Sequence, residues 1–282
     1  MIREPYFARQ GWYPADEDTC RRAVESYMEK ADDSGSGQYA GIVPHAGWIF
    51  SGGLAGKTFR ALSGCKPEVV FLFGGHMHPG DRCVCMPRGS FGTPLGPIEV
   101  DEQIAAEIVT SFECAEETSE LYQPDNTTEL QLPFIRHLWP EARLVAVQTP
   151  PREQAIKIGA LAAELADKHG LSALAIGSTD LTHYGSNYGF TPHGIGDEAH
   201  RWSKEENDLP FIEHLLAMEA RGAIQHALSN HSACCPGAAA AAISFAAGRG
   251  ATQGTLLART TSHEIEGRSQ PSMWVGYASI VF

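Results

Sequence analysis

The 282-residue chain has no apolar run near the roughly 20 consecutive residues that a membrane-spanning helix needs. Basic residues are scarce: 21 Lys and Arg stand against 34 Asp and Glu, and the net charge is −13. That balance argues against non-specific nucleic-acid binding, which needs clustered cations. It argues equally against docking on an anionic membrane. The first residues carry Arg3, Glu4 and Arg9 where a secretory signal would carry its apolar stretch, so a cytoplasmic protein is expected. There is no Cys-x-x-Cys, which excludes a structural zinc ribbon of the usual spacing. The seven cysteines (Cys20, Cys65, Cys83, Cys85, Cys114, Cys234 and Cys235) are odd in number and show no disulfide-framework spacing, which suits a reducing compartment. A G-x-x-x-x-G-K-[ST] phosphate loop and a G-x-S-x-G nucleophile elbow are both missing. Gly74-Gly75-His76 lacks the third glycine and the helix pattern of a dinucleotide fingerprint. No repeat, low-complexity tail or linker breaks the chain, so one domain over 1–282 is the economical expectation.

What is present is an ordinary globular composition, 43% hydrophobic and 20% charged. A chain this long buries roughly 75% of its unfolded surface and needs no staples. Short apolar runs over Gln38–Val43, Glu68–Phe73, Arg143–Gln148 and Leu171–Ile176 read as strands. The second is apolar almost throughout, as in a parallel sheet covered on both faces. Helical patterns lie between them, from Asp18 to about Lys30, over Gly53–Leu62, from Asp101 to Phe112 and over Arg152–His169. Asp32–Gly37 reads as a polar loop and Phe91–Pro97 as a loop or hairpin walling a cavity. Thr182–Gly196 is a long loop of Gly, Asn, Tyr and His. Two helices are expected over 197–229, and Pro236 opens an Ala-rich one. Gly254–Thr261 and Met273–Phe282 read as antiparallel strands. The pattern predicts an α/β fold with a mainly parallel central sheet.

His45, His76 and His183 follow three separate strands in the same relative position. If those strands run parallel, their C-terminal ends share one edge of the sheet, where open α/β proteins hold ligands. Three imidazoles then converge, and His sets with carboxylates bind Zn(II) or Fe(II). One histidine after a strand is more often a hydrogen-bonded structural group. Three in equivalent places are harder to explain that way. Asp180 has three readings: a metal ligand, a group orienting an imidazole from behind, or a turn residue. Ser178 and Thr182 are minor polar partners. Glu129 reads either as an acid or as a helix-capping carboxylate. Cys234 precedes a helix whose dipole lowers a thiol pKa, which suits a soft ligand or a nucleophile. It equally suits a small packing residue. Cys235 has the same local position, so local chemistry does not choose between them. His78, His193 and His200 read as exposed or structural residues.

Five separated motifs then occur in a familiar order: Pro44-His45-Ala46-Gly47 with Ser51-Gly52; Gly75-His76; Thr93-Pro94-Leu95-Gly96 with Val100-Asp101; Glu129-Leu130-Gln131-Leu132-Pro133-Phe134; and Ser178-Thr179-Asp180-Leu181-Thr182-His183-Tyr184-Gly185. Together they resemble the Memo family, also called AmmeMemoRadiSam system protein B, across nearly the whole chain. The resemblance implies a three-layer α/β/α domain similar to class III LigB-type extradiol dioxygenases. It implies a metal pocket lined by His45, His76 and Cys234, with Asp180 and His183 beside it and His183 as the acid/base. In those dioxygenases the metal is Fe(II), held by two His and a carboxylate, and a catechol-like substrate is opened by O₂. Here Cys234 stands where the carboxylate would be, which favours softer metals such as Cu(I) or Zn(II). Asn126 replaces a His usual in the family, and Cys235 replaces a Gly. The likeness also implies a radical-SAM protein and an AMMECR-like protein as partners, and it leaves room for an adaptor that holds an anionic peptide or small ligand in the same pocket. A zinc-dependent hydrolase is a third reading.

Overall fold

Runs such as Val69–Phe73 are apolar on both faces, so they settle only where helices cover both sides of a sheet. The computed structural model describes residues 1–29, 37–267 and 270–282. Its main sheet is built from β1 (Ala40–Val43), β2 (Val69–Gly74), β3 (Val84–Cys85), β4 (Ala115–Glu116), β5 (Arg143–Gln148), β6 (Ala173–Ser178), β7 (His183–Tyr184), β8 (Thr255–Thr261) and β9 (Trp274–Val281). The strand order is β7-β9-β1-β6-β2-β5-β3-β4, with β8 paired to the other side of β9. The four middle strands, β1, β6, β2 and β5, run parallel. β9 is antiparallel to β1, and β3 is antiparallel to β5. The expected α/β architecture with a mainly parallel centre is therefore observed. So is the antiparallel pair at the C-terminal end of the chain.

Helices α1 (Glu17–Glu29), α2 (Trp48–Leu62), α3 (Glu102–Phe112), α4 (Glu153–Lys168) and α5 (Pro236–Gly248) supply the covering layers. α2 lies on β1 and β9, with α1 behind it. α5 lies on β1, β2 and β6, with α4 packed along it. The small side chains of α5 make that approach close. A Cβ at Gly159 of α4 would stand 2.0 Å from the carbonyl oxygen of Ala241 in α5. One continuous apolar cluster runs through both layers.

Several expectations shift in detail. α2 begins at Trp48, five residues before Gly53, so the turn after His45 is shorter than the glycines suggested. Phe91–Pro97 does form a hairpin arm: Ser90–Phe91 and Ile98–Glu99 pair, and Ile2–Arg3 adds a parallel third strand. The helical stretch from Asp197 to Leu216 contains a π-helical segment, Ser203–Asp208, a feature often found near functional sites. Of the polar loop read over Asp32–Gly37, residues 32–36 lie outside the described residues, as does Lys30.

The cysteine reading needs correction. Cys83 and Cys114 are joined by a disulfide. They lie 31 residues apart, on either side of α3. β3 and β4 pair in parallel, with Val84 opposite Ala115, which brings the two preceding cysteines together. A lone pair at such a separation has no framework pattern to read. The absence of a disulfide spacing is thus no ground for a reducing compartment. No helix among the described residues is long and apolar enough to cross a membrane.

The close contact between α4 and α5 makes a direct prediction. Gly159→Ala is expected to lower stability by about 1–3 kcal/mol, because neither backbone can yield cheaply. Thermal or urea unfolding measures it, and an unchanged midpoint would show that the helices separate freely.

Candidate metal centre

Parallel pairing of β1, β6 and β2 brings their C-terminal ends to one edge. Val43 is opposite Ser178, and Phe73 is opposite Gly177. His45 follows β1, Asp180 follows β6, and His76 follows β2. Gly75 makes the last of these turns at φ +95°, and a Cβ there would meet Gln148 Cβ at 2.6 Å. Only glycine suits that conformation and that space. His183 reaches the same place by another route, on the short strand β7 hydrogen-bonded to β9.

His45 is almost wholly buried. Its Nδ1 lies 3.1 Å from Ser178 Oγ, and its Nε2 lies 3.2 Å from Cys234 Sγ. Its peptide N–H donates to Asp180 Oδ1 at 2.7 Å. The imidazole of His76 meets that of His45 edge-on, with ring centres 4.9 Å apart. Asp180 Oδ2 stands 3.8 Å from His45 Nε2 and 3.7 Å from His183 Nε2. The sulfur of Cys234 accepts from the Asp180 N–H at 3.3 Å, and the Cys234 N–H donates back to the Asp180 carbonyl at 3.2 Å. The donor atoms of His45, His76, Cys234 and Cys235 all lie within 4.8 Å of one another. So do those of Asp180, His183 and Cys234. His183 Nε2 is buried without a hydrogen-bond partner and faces the same space. This donor set fits a single cation, and its mix of imidazole and thiolate suits Zn(II) or Cu(I).

The electrostatics agree with a site built for charge. Burial alone would lower the pKa of His45, but the charges of Asp180 and Cys234 outweigh it and lift His45 to about 9. Burial also opposes a charge on His183, and the facing Asp180 and Cys234 lift it to about 10. For Cys234 burial pushes upward. The Cys235 thiol and the two histidines overcome that and hold Cys234 well below its ordinary value. Burial and the neighbouring Cys234 push Cys235 well above.

Two recesses meet here. One, a cavity of about 420 Å³, is walled by Trp12, Phe50, Tyr188, Met273, Val275 and Tyr277, with His45, His76, Asn126 and His183 at its floor. The other, of about 600 Å³, reaches Cys234 from the opposite side and shares His76, His183 and Tyr188. Tyr188 sits in the Thr182–Gly196 segment, its ring 5.0 Å from His183.

The remaining candidates separate. Glu129 does not face the centre: its carboxylate accepts from the N–H groups of Tyr6, Phe7 and Ala8 and from Tyr13 OH. It ties down the arm that carries Trp12 into the cavity wall. Asn126 holds the His45 carbonyl through Nδ2 at 3.0 Å. His78 lies in an exposed turn, His193 stacks on Trp202, and His200 Nε2 meets Thr261 Oγ1. Sequence reasoning missed Asp125 and Asp208. Asp125 caps the helical turn Asn126–Glu129 and lies 4.0 Å from His76 Nδ1. Asp208, at the end of the π-helical segment, accepts from the N–H and hydroxyl of Thr182 beside His183. An acidic residue in a helical stretch gives no local sign of either contact.

A family model described as Memo-like protein matches residues 3–281. MEMO1 family proteins of Pyrococcus abyssi and Thermococcus onnurineus are 32% and 33% identical, each alignment covering 100% of this chain and 99% of the relative. A crystal structure of an uncharacterized protein from Escherichia coli K12 aligns with a TM-score of 0.45 and 12% identity, covering 87% of this chain and 100% of that one.

Two expectations follow from the supporting carboxylates. Burial lifts Asp208 to about 7, against the hydrogen bonds from Thr182. A carboxyl raised in the folded state holds its proton where the unfolded chain has lost it. Its contribution to stability is therefore full below the unfolded value and is lost as pH rises through about 7. Asp208→Asn keeps the acceptor oxygen and should raise Tm at pH 8 by several degrees while leaving it unchanged at pH 4. Equal shifts at both pH values would contradict this. Glu129→Gln removes half of the acceptor capacity from a buried cluster of four donors. It should cost about 1–3 kcal/mol and raise protease cleavage within the first 13 residues. A cleavage rate equal to that of the unmodified protein would contradict the clamp.

Proposed function

The chain belongs to the Memo family, and from that premise we propose that it is a metal-binding protein whose centre, His45, His76 and Cys234, forms the floor of a cavity for a small aromatic ligand. The observation that carries this is the convergence of those donor atoms within 4.8 Å, with His45 and His76 lining the cavity walled by Trp12, Phe50, Tyr188 and Tyr277 and Cys234 reached from the second recess. A bound divalent cation would supply Lewis acidity to a ligand hydroxyl, and Fe(II) would add electron transfer to O₂.

The protein's own part is positioning and proton transfer. Ser178 and the Asp180 carboxylate fix the ring and the backbone of His45. His183, lifted against its burial to about 10 by the facing Asp180 and Cys234, enters as an imidazolium at the cavity and donates its proton to an anionic, phenolate form of the ligand. Tyr188 and Trp12 stack on the ligand and keep water from it. With Fe(II) in the centre, the substrate class is catechol-like and the reaction a ring opening. A thiolate in place of the usual carboxylate supports a second reading, a Zn(II) centre with oxygen-independent turnover of an ester or amide. A cytoplasmic location is part of the same proposal.

Metal analysis of protein made without added metal tests the centre. The expected result is one equivalent of metal per chain, lost in the His45→Ala, His76→Ala double variant. Full retention in that variant would sink the ligand assignment. Oxygen uptake with catechols then separates the two chemistries: uptake abolished by His183→Ala supports ring opening, and oxygen-independent hydrolysis supports zinc.

A further inference from the structure

Cys235 is not one of the three donors of that centre. Its thiol is buried, yet its sulfur lies within 4.8 Å of the donor atoms of His45, His76 and Cys234. The backbone holds it there from two sides. The Cys235 N–H donates to Thr179 Oγ1 at 3.1 Å, and the Cys234 N–H donates to the Asp180 carbonyl at 3.2 Å. Both cysteines are thus tied to the loop that carries Asp180. Cys235 then caps α5, and its carbonyl accepts from the Ala238 N–H at 3.0 Å. The Cα of each cysteine is thereby fixed beside that loop and the first turn of the helix, and only side-chain rotation moves its sulfur. His45 is equally fixed, by Ser178 and Asp180. His76 is the adjustable donor: its side chain is 45% exposed, so rotation about its torsions brings the imidazole toward the other three groups.

We propose that Cys235 is a fourth donor, so that this chain holds its cation with two imidazoles and two thiolates and selects Zn(II) over Fe(II). The proposal rests on the metal centre of the preceding subsection and names its ion. Tetrahedral N₂S₂ sets are characteristic of Zn(II), whereas the non-haem Fe(II) triad combines two histidines with a carboxylate. Among the described residues grouped as donors the carboxylate is Asp180, and its Oδ1 is already engaged by the His45 N–H; Asp125 stands 4.0 Å from His76 Nδ1, beside the group rather than in it. Each thiol releases its proton to solvent as the metal binds. Asp180 and His183 stay outside the four-donor set and keep the imidazole of His183 free for the cavity.

X-ray absorption on the full-length protein loaded with Zn(II) tests this without any variant. The expected shell is two sulfurs at about 2.3 Å and two nitrogens at about 2.0–2.1 Å. A shell with a single sulfur would overturn the proposal. Co(II) loading under anaerobic conditions provides the second measurement. Cys235→Ser should lose about half of the thiolate-to-Co(II) absorption, since one of two thiolates is removed. Unchanged absorption in Cys235→Ser would remove Cys235 from the set and leave the three-donor centre standing. No thiolate absorption in the unmodified protein would overturn the centre and the proposal together.

Discussion

The carboxylate of Asp180 is the group on which the rest of the site depends. It is almost fully buried, and a buried charge persists only where it is paired or hydrogen-bonded. Oδ1 takes the peptide N–H of His45, which joins the end of β1 to the end of β6. Oδ2 faces the imidazoles of His45 and His183 from between them. The same residue's backbone holds Cys234 through its N–H and its carbonyl. Three distant segments are thus drawn to one point by one residue. It raises the pKa values of both histidines together with Cys234.

Around that point the fold separates rigid from adjustable parts. Four parallel strands and the close-packed α4 and α5 fix His45, Asp180 and Cys234. The exposed His76 and the Tyr188 turn lie where the two recesses meet. The N-terminal arm completes the wall with Trp12, and its anchor is Glu129, more than a hundred residues away along the chain. A carboxylate that looks catalytic beside a helix start therefore serves packing. Its donors are three backbone N–H groups and the Tyr13 hydroxyl, which would otherwise lose their partner on burial.

Much of the fold was legible because its signals are local. The apolar run Val69–Phe73 has no polar face to offer water, so it had to be a covered strand. The amphipathic stretch before His169 had to be a helix. The convergence of His45, His76 and His183 was read from parallel strand ends; that geometry delivers His45 and His76, whereas His183 arrives on the separate strand β7. The Cys83–Cys114 pairing was not legible, because it depends on a two-residue parallel bridge between β3 and β4. The partners of Asp125 and Asp208 were hidden for the same reason: each contact joins segments that no spacing relates.

The two adjacent cysteines mark the boundary most clearly. Sequence by itself determined that a sheet edge would present histidines and that a thiol would stand at the start of an Ala-rich helix. It could not decide which thiol, since Cys234 and Cys235 share one local environment. The tertiary structure decided by a long-range constraint: the Asp180 loop grips Cys234 through its backbone and sets its sulfur 3.2 Å from His45 Nε2. The same grip brings Cys235 within reach of the same donors. Side-chain direction at a helix start depends on what the preceding backbone bonds to, and here that partner lies 54 residues earlier in the chain.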